Sequence, residues 1–157
     1  MKPLADTTPE RFIEDFFTSL TESTVRGDAP ESVMDRHYTP DVVQISDGVH
    51  LDRDRLLAHL RPVRKNVVGW RFDVHEAVAD GHRVAARLTL HARTRKGGAT
   101  ATEVHLFGEF TDDGRMRRSH QLTRSLPPVG PQSVYDVSVP RRRTSSVAQW
   151  NEPPNGA

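Results

Sequence analysis

The chain has 157 residues, no cysteine, a formal net charge of +1 and 27% charged residues, which is the material of one ordinary globular domain. A disulfide framework and thiolate metal or redox chemistry are excluded. No apolar run reaches the roughly 20 residues of a bilayer span, and Met1–Thr8 lacks a basic segment leading into an apolar one, so the expectation is a cytoplasmic protein without membrane contact.

Of the 22 Lys and Arg residues only Arg141, Arg142 and Arg143 follow Leu126, and of the 21 Asp and Glu residues only Asp136 and Glu152 do. Residues 1–126 are therefore charge-balanced, a poor match for a phosphate backbone, and no nucleic-acid partner is expected. The last 31 residues hold six of the eleven prolines together with Ser, Gly and Asn. They read as a Pro-rich tail over 127–157, linker-like or packed on a partner, behind a single domain over 1–126. Val134, Tyr135, Val137 and Val139 form the tail's one strand-like run.

In chain order, Phe12, Ile13, Phe16, Phe17 and Leu20 recur at intervals of three and four after Pro9, with Thr7 or Thr8 as N-cap and Gly27 as stop. This predicts an amphipathic helix with an aromatic face. A shorter helix opens at Pro30, presents Val33, Met34, His37 and Tyr38, and ends at Thr39-Pro40, because a residue before proline avoids the helical region. A third runs from the cap Asp52 through Leu56, Leu57 and Leu60 to Pro62. Between the second and third, residues 41–46 read as a strand leading to an Asp47-Gly48 turn.

The second half is a meander of long strands joined by Ala79-Asp80-Gly81, Lys96-Gly97-Gly98 and Asp112-Asp113-Gly114. Three-residue hairpin loops place glycine in the left-handed conformation at the third position. That geometry puts Phe72, Leu88, Leu106 and His120 in one cross-strand row and Val74, Ala86, Gly108 and Arg118 in the next, flanked by Trp70, Leu90, Val104 and Leu122. The opposite face then pairs Asp73 with Arg87, His91 with Glu103 and Glu109 with Arg117, so three opposite-charge pairs lie behind the mainly apolar rows, as a consistent register requires.

Three helices followed by a long antiparallel sheet with one apolar face make an α+β architecture. Within it, Tyr38-Thr39-Pro40-Asp41-Val42-Val43 ahead of Asp47-Gly48, the run Asp80-Gly81-His82-Arg83-Val84-Ala85-Ala86-Arg87, and the turn Phe110-Thr111-Asp112-Asp113-Gly114-Arg115-Met116 resemble the SnoaL-like branch of the nuclear transport factor two-like superfamily. The resemblance covers residues 9–126. It implies a cone-shaped α+β barrel, with three N-terminal helices packed on a curved, mostly antiparallel sheet. It also implies a deep apolar pocket for a small molecule and a homodimer through the sheet. The first strand would lie beside the last, bringing Gln44 and Ser46 near Arg118 and His120. Fold membership names no reaction, since the superfamily holds cyclases, isomerases, dehydratases and non-catalytic modules. Ser46 stands where the ketosteroid isomerases of this superfamily carry their aspartate base, and no pair of carboxylates flanks Arg118 as limonene epoxide hydrolase would require. Many SnoaL-like sequences carry an acidic residue and a tryptophan at the positions of Arg118 and His120.

In the expected register His120 and Arg118 face the pocket beside the small residues Ala86 and Gly108, and Glu76 is the one carboxylate of the meander on that face. A histidine beside a fixed positive charge suits proton transfer to a carbonyl compound, with His120 as acid or base and Arg118 as the oxyanion holder. If Arg118 pairs with Glu76, both are structural. Tyr38, Gln44, Ser46 and Trp70 are candidate ligand contacts, with Phe72, Leu88 and Leu106 as apolar lining; His59 on the third helix has no assigned face. His91, Glu103 and His105 lack the spacing of a metal site. With no nucleophile or cofactor motif in view, the expectation is cofactor-independent acid–base chemistry on an apolar, carbonyl-bearing compound such as a polyketide or terpenoid. The alternative is a non-catalytic ligand-binding or scaffold domain.

Overall fold

A computed structural model describes residues 3–127 of the chain. The tail beyond Pro127, including Val134, Tyr135, Val137 and Val139, lies outside the described residues. Helix α1 (Pro9–Arg26) opens on Thr8, whose hydroxyl accepts from the Arg11 N–H, and closes on Gly27 in the left-handed conformation at φ +94°. A side chain at that glycine would be strained by the backbone and would meet the Arg64 guanidinium as well. Helix α2 (Pro30–His37) runs without a loop into strand β1 (Tyr38–Ser46), so Tyr38, Thr39 and Pro40 belong to the strand rather than to the expected helix end. After the short β2 (Val49–Leu51), helix α3 (Arg53–Asn66) starts on the Asp52 cap and continues past Pro62. Pro62 was expected to stop it. Its ring lies on the exposed side of the helix, where a missing hydrogen bond costs least, while Leu60 and Val63 on either side hold the helix inward.

Strands β3 (Val67–Asp80), β4 (Arg83–Thr94), β5 (Ala99–Phe110) and β6 (Met116–Leu126) complete a six-stranded sheet in the order β2-β1-β6-β5-β4-β3. Only the β1–β6 pairing is parallel, so the first strand does lie beside the last. The helices contribute Phe12, Ile13, Phe16, Val33, Met34, Leu56 and Leu60 to the core, and the sheet answers with Trp70, Phe72, Leu88, Leu106, Phe110 and Met116. Burial of each large side chain is worth roughly 1.5–3 kcal/mol. Phe110 stands edge-on to Phe12 at 4.8 Å and to Phe16 at 5.4 Å, which ties α1 to the end of β5. Among the described residues no helix is long and apolar enough to cross a membrane.

The register departs from expectation along all three strand pairs of the meander. Across β3–β4, Phe72 lies opposite Leu90 and Val74 opposite Leu88; across β4–β5, Ala86 lies opposite Leu106. These are shifts of two, which preserve the faces, so Trp70, Phe72, Leu88 and Leu106 still point inward. A bulge between Val74 and Glu76 reverses the tip of β3, so Ala77 turns inward and Glu76 outward. The last hairpin opens as expected, with Phe110 opposite Met116. A bulge next to Glu109 then shifts the pairing by one, setting Glu109 opposite Arg118, Gly108 opposite Ser119 and Leu106 opposite Gln121. A shift of one exchanges the two faces of β6 beyond that point.

Candidate functional site

The inner face of the sheet and the helices α1 and α3 enclose a cavity of about 240 Å³. Its walls are mostly apolar: Phe17 and Leu20 from α1, Leu56, Leu60 and Val63 from α3, and Trp70, Phe72, Leu88, Leu90 and Val104 from the sheet. Phe17 stacks on Phe72 with ring centroids 5.6 Å apart, joining helix to sheet at its edge. Its polar lining comes from Thr21, Thr24, Tyr38, Gln44, His59, Trp70 and Gln121, and no Asp, Glu, Lys or Arg is among the lining residues.

Each of those polar groups is set by its element. Tyr38 is the first residue of β1, held there by its N–H on the Met34 carbonyl and by an edge-on contact of its ring with Phe16 at 5.9 Å. It is 5% exposed, and its hydroxyl hydrogen-bonds to none of the described residues. Burial alone pushes its pKa up, so the phenol stays protonated and can donate. Trp70 is 2% exposed, and its Nε1–H has no partner among the described residues. Gln121 donates from Nε2 to Ser46 Oγ at 3.0 Å, which leaves its carbonyl oxygen available. The Thr24 hydroxyl is spent on the Leu20 carbonyl at 2.7 Å. His59, on α3, is exposed and stands at the rim.

Of the residues singled out from sequence, Tyr38, Gln44, Trp70, Phe72 and Leu88 are brought together here. Leu106 is buried in the core but does not line the cavity, and Ser46 acts by holding Gln121. His120 and Arg118 are corrected. Both are exposed on the outer face of the sheet, opposite Phe107 and Glu109, because the β6 bulge turns Ser119 and Gln121 inward in their place. The physical preference is plain, since burying a serine and a glutamine costs less than burying a guanidinium and an imidazole. Glu76 is also outside; it meets Arg87 at 2.9 Å rather than Arg118. On that outer face the expected Glu109–Arg117 pair forms at 3.8 Å, whereas Asp73 meets Arg71 and His91 instead of Arg87, and Glu103 meets His105 and Arg124 instead of His91. Among the described residues no cluster of three or more His, Asp and Glu is placed to hold a metal ion.

Gln121 is hidden in the sequence because residues 117–121 are polar on both parities and the apolar residues of β6, Met116, Leu122 and Leu126, fall on the parity opposite to its own. One signal could have found it: a shift of one sets two small residues, Gly108 and Ser119, facing each other.

Three helices on one face of a largely antiparallel sheet, closed around an apolar cavity with a few neutral polar groups, define the class of small α+β domains built about an internal pocket. Within that class the chain belongs to the SnoaL-like domain family of the nuclear transport factor two-like superfamily, which residues 13–119 match. It is 26% identical over 117 residues to the uncharacterized protein C11D3.04c of Schizosaccharomyces pombe, covering 74% of this chain and 86% of that one. Among solved structures it resembles a conserved protein from Planctomyces limnophilus (TM-score 0.56, 20% identity, covering 78% of this chain and 98% of the other). It also resembles IdmH, a proposed polyketide cyclase from Streptomyces antibioticus (TM-score 0.53, 17% identity, covering 74% and 92%). These structural likenesses establish the fold alone.

Proposed function

We propose that the cavity binds an apolar, carbonyl-bearing small molecule and that the protein acts on it by cofactor-independent acid–base chemistry of the cyclase, isomerase or lyase type. The observation that carries this reading is an apolar cavity lined by Tyr38, a buried residue whose hydroxyl has no hydrogen-bond partner among the described residues. A protonated phenol in an apolar site stabilises charge developing on a carbonyl oxygen. His59 is the lining side chain whose ring nitrogen can serve as a proton acceptor. In the simplest such step His59 takes a proton from the carbon beside the carbonyl, the C–H electron pair forms an enolate whose oxygen accepts from Tyr38, and the proton returns to carbon.

The test is deuterium uptake beside the carbonyl of 2-decalone, a neutral two-ring ketone, followed by NMR in D₂O. Exchange above the buffer rate that is lost in His59→Ala and reduced in Tyr38→Phe supports the enzyme reading. Saturable binding with no exchange sinks it and leaves a second reading, a non-catalytic ligand-binding domain. The absence of any carboxylate from the lining favours that second reading.

We also propose a homodimer through the outer face of the sheet. Val78, Ala85, Phe107, His120 and Ile45 form one cross-strand row there, and Val78 and Phe107 are 69% and 66% exposed. The next row alternates in sign, Asp80, Arg83, Glu109, Arg118. A two-fold axis along the strands sets that row against its own reverse, acid facing base at each position, so a second copy is the complementary partner. Phe107→Glu should convert the dimer to a monomer in sedimentation equilibrium; a wild-type chain that sediments as a monomer at every concentration refutes the interface.

A further inference from the structure

Resting on the reading of this cavity as a ligand site, we infer that its ligand is uncharged, carries a neutral oxygen acceptor, and is the size of two fused rings. Charge comes first. None of the lining residues is ionised in the manner of Asp, Glu, Lys or Arg, and the arginine that sequence alone would have placed there, Arg118, is on the other side of the sheet. A carboxylate, phosphate or ammonium group entering this space gives up its hydration with no counter-ion to replace it. Ligands with an ionised group are selected against.

The acceptor follows from the donors. The Tyr38 hydroxyl is held protonated by burial, and the Trp70 N–H is sealed from solvent without a partner. A pure hydrocarbon would leave the Tyr38 hydroxyl unpaired, whereas a ketone, ester or ether oxygen can answer it. Gln44, on the inner side of β1, adds a third neutral polar group to the same lining.

Size follows from the walls. A cavity of about 150 Å³ lined by apolar side chains holds a benzene ring, so 240 Å³ holds roughly ten non-hydrogen atoms, the bulk of two fused rings or a ten-carbon terpenoid ketone. Expansion is resisted on both sides. Trp70 and Leu88 on the sheet are 2% and 1% exposed, and the Phe17–Phe72 stack locks α1 to β3. A four-ring skeleton would overfill this volume, and would have either to pry the helix from the sheet or to leave rings outside the rim at His59.

The experiment is calorimetric titration of the full chain with a matched series: cyclohexanone, 2-decalone, a four-ring steroid ketone, decalin, and the carboxylate of the decalin skeleton. The expected order has 2-decalone tightest, decalin about tenfold or more weaker, and no heat from the carboxylate at the same concentration. Tyr38→Phe should weaken 2-decalone by about tenfold and leave decalin unchanged. A steroid ketone that binds as tightly as 2-decalone overturns the size inference while the cavity reading stands. A carboxylate that binds as well as the ketone, or decalin that matches it, overturns the chemistry inference in the same way. If no member of the series binds at millimolar concentration, the cavity reading itself fails and this inference with it.

Discussion

Tyr38→Phe separates a ligand-binding role from a structural one because the two predict opposite signs for stability. The substitution removes one oxygen and leaves the ring, with its edge-on contact to Phe16 at 5.9 Å, in place. In the unliganded protein that hydroxyl has no hydrogen-bond partner among the described residues and sits in surroundings that strongly disfavour its ionisation. A buried hydroxyl without a partner costs about 1–3 kcal/mol relative to one in water. Water inside the cavity recovers part of that cost, so a net gain of about 1 kcal/mol is expected on its removal. For a folded unit of this size, 1 kcal/mol corresponds to roughly 3–6 °C in Tm. The same substitution deletes the donor offered to the ligand, worth about 1.5 kcal/mol or tenfold in Kd for 2-decalone. Differential scanning calorimetry and titration on the same preparation read both numbers. A Tm that falls by several degrees would show that the hydroxyl supports the fold, and an unchanged Kd would show that it does not meet the ligand; either result refutes the reasoning.

Gly108→Ala should destabilise the protein by about 1–3 kcal/mol through overpacking. A Cβ at that position would lie 2.7 Å from the Phe110 ring, which Phe12 and Phe16 hold in place, and an unchanged Tm would contradict this packing. His37 bridges α1 and α2 as a neutral ring, its Nδ1–H donating to the Val33 carbonyl at 2.8 Å and its Nε2 accepting from Ser19 Oγ at 3.0 Å. Burial, partly offset by the Val33 bond, lowers its pKa. The unfolded chain therefore takes up a proton that the folded one resists, and stability falls as pH drops below the ordinary histidine value of about 6.5. Urea unfolding at pH 7.5 and 5.5 should show a steeper loss for the wild type than for His37→Gln; equal losses would remove His37 from the account. His120→Ala should leave 2-decalone affinity within about twofold, since the side chain is on the opposite face of the sheet from the cavity. A large loss of affinity would mean that the two faces communicate.

The helical half was legible because its signals are local. The Thr8 cap, the Phe12–Ile13–Phe16 face and the Gly27 stop each depend on residues within a turn or two, and the helix ends where they say. The exceptions share one cause. Pro62 and the Thr39-Pro40 pair are local stop signals that packing overrode or moved, since Val63 and Tyr38 are both drawn to the cavity side. Within the sheet, the alternation of apolar residues on β3, β4 and β5 was strong enough that register shifts of two left Trp70, Phe72, Leu88 and Leu106 inward, and only the tip of β3 beyond its bulge, with Glu76, changed face.

On β6 that protection was absent. Arg117, Arg118, Ser119, His120 and Gln121 are polar at every position, so nothing in the strand resists a shift of one, and a single bulge decided which of them meets the ligand cavity. The candidate site moved accordingly, from a charged pair, Arg118 and His120, to neutral groups, Tyr38, Trp70, Gln44 and Gln121, with His59 at the rim. By itself the sequence determined the family, the order of the elements and the apolar face of three strands, because these rest on short-range periodicity and capping. Only the tertiary structure decided the face of the last strand. That choice rests on a β-bulge and on the cost of burying charge against a sheet already filled by Phe110 and Met116, both of them properties of strands brought together rather than of any one strand.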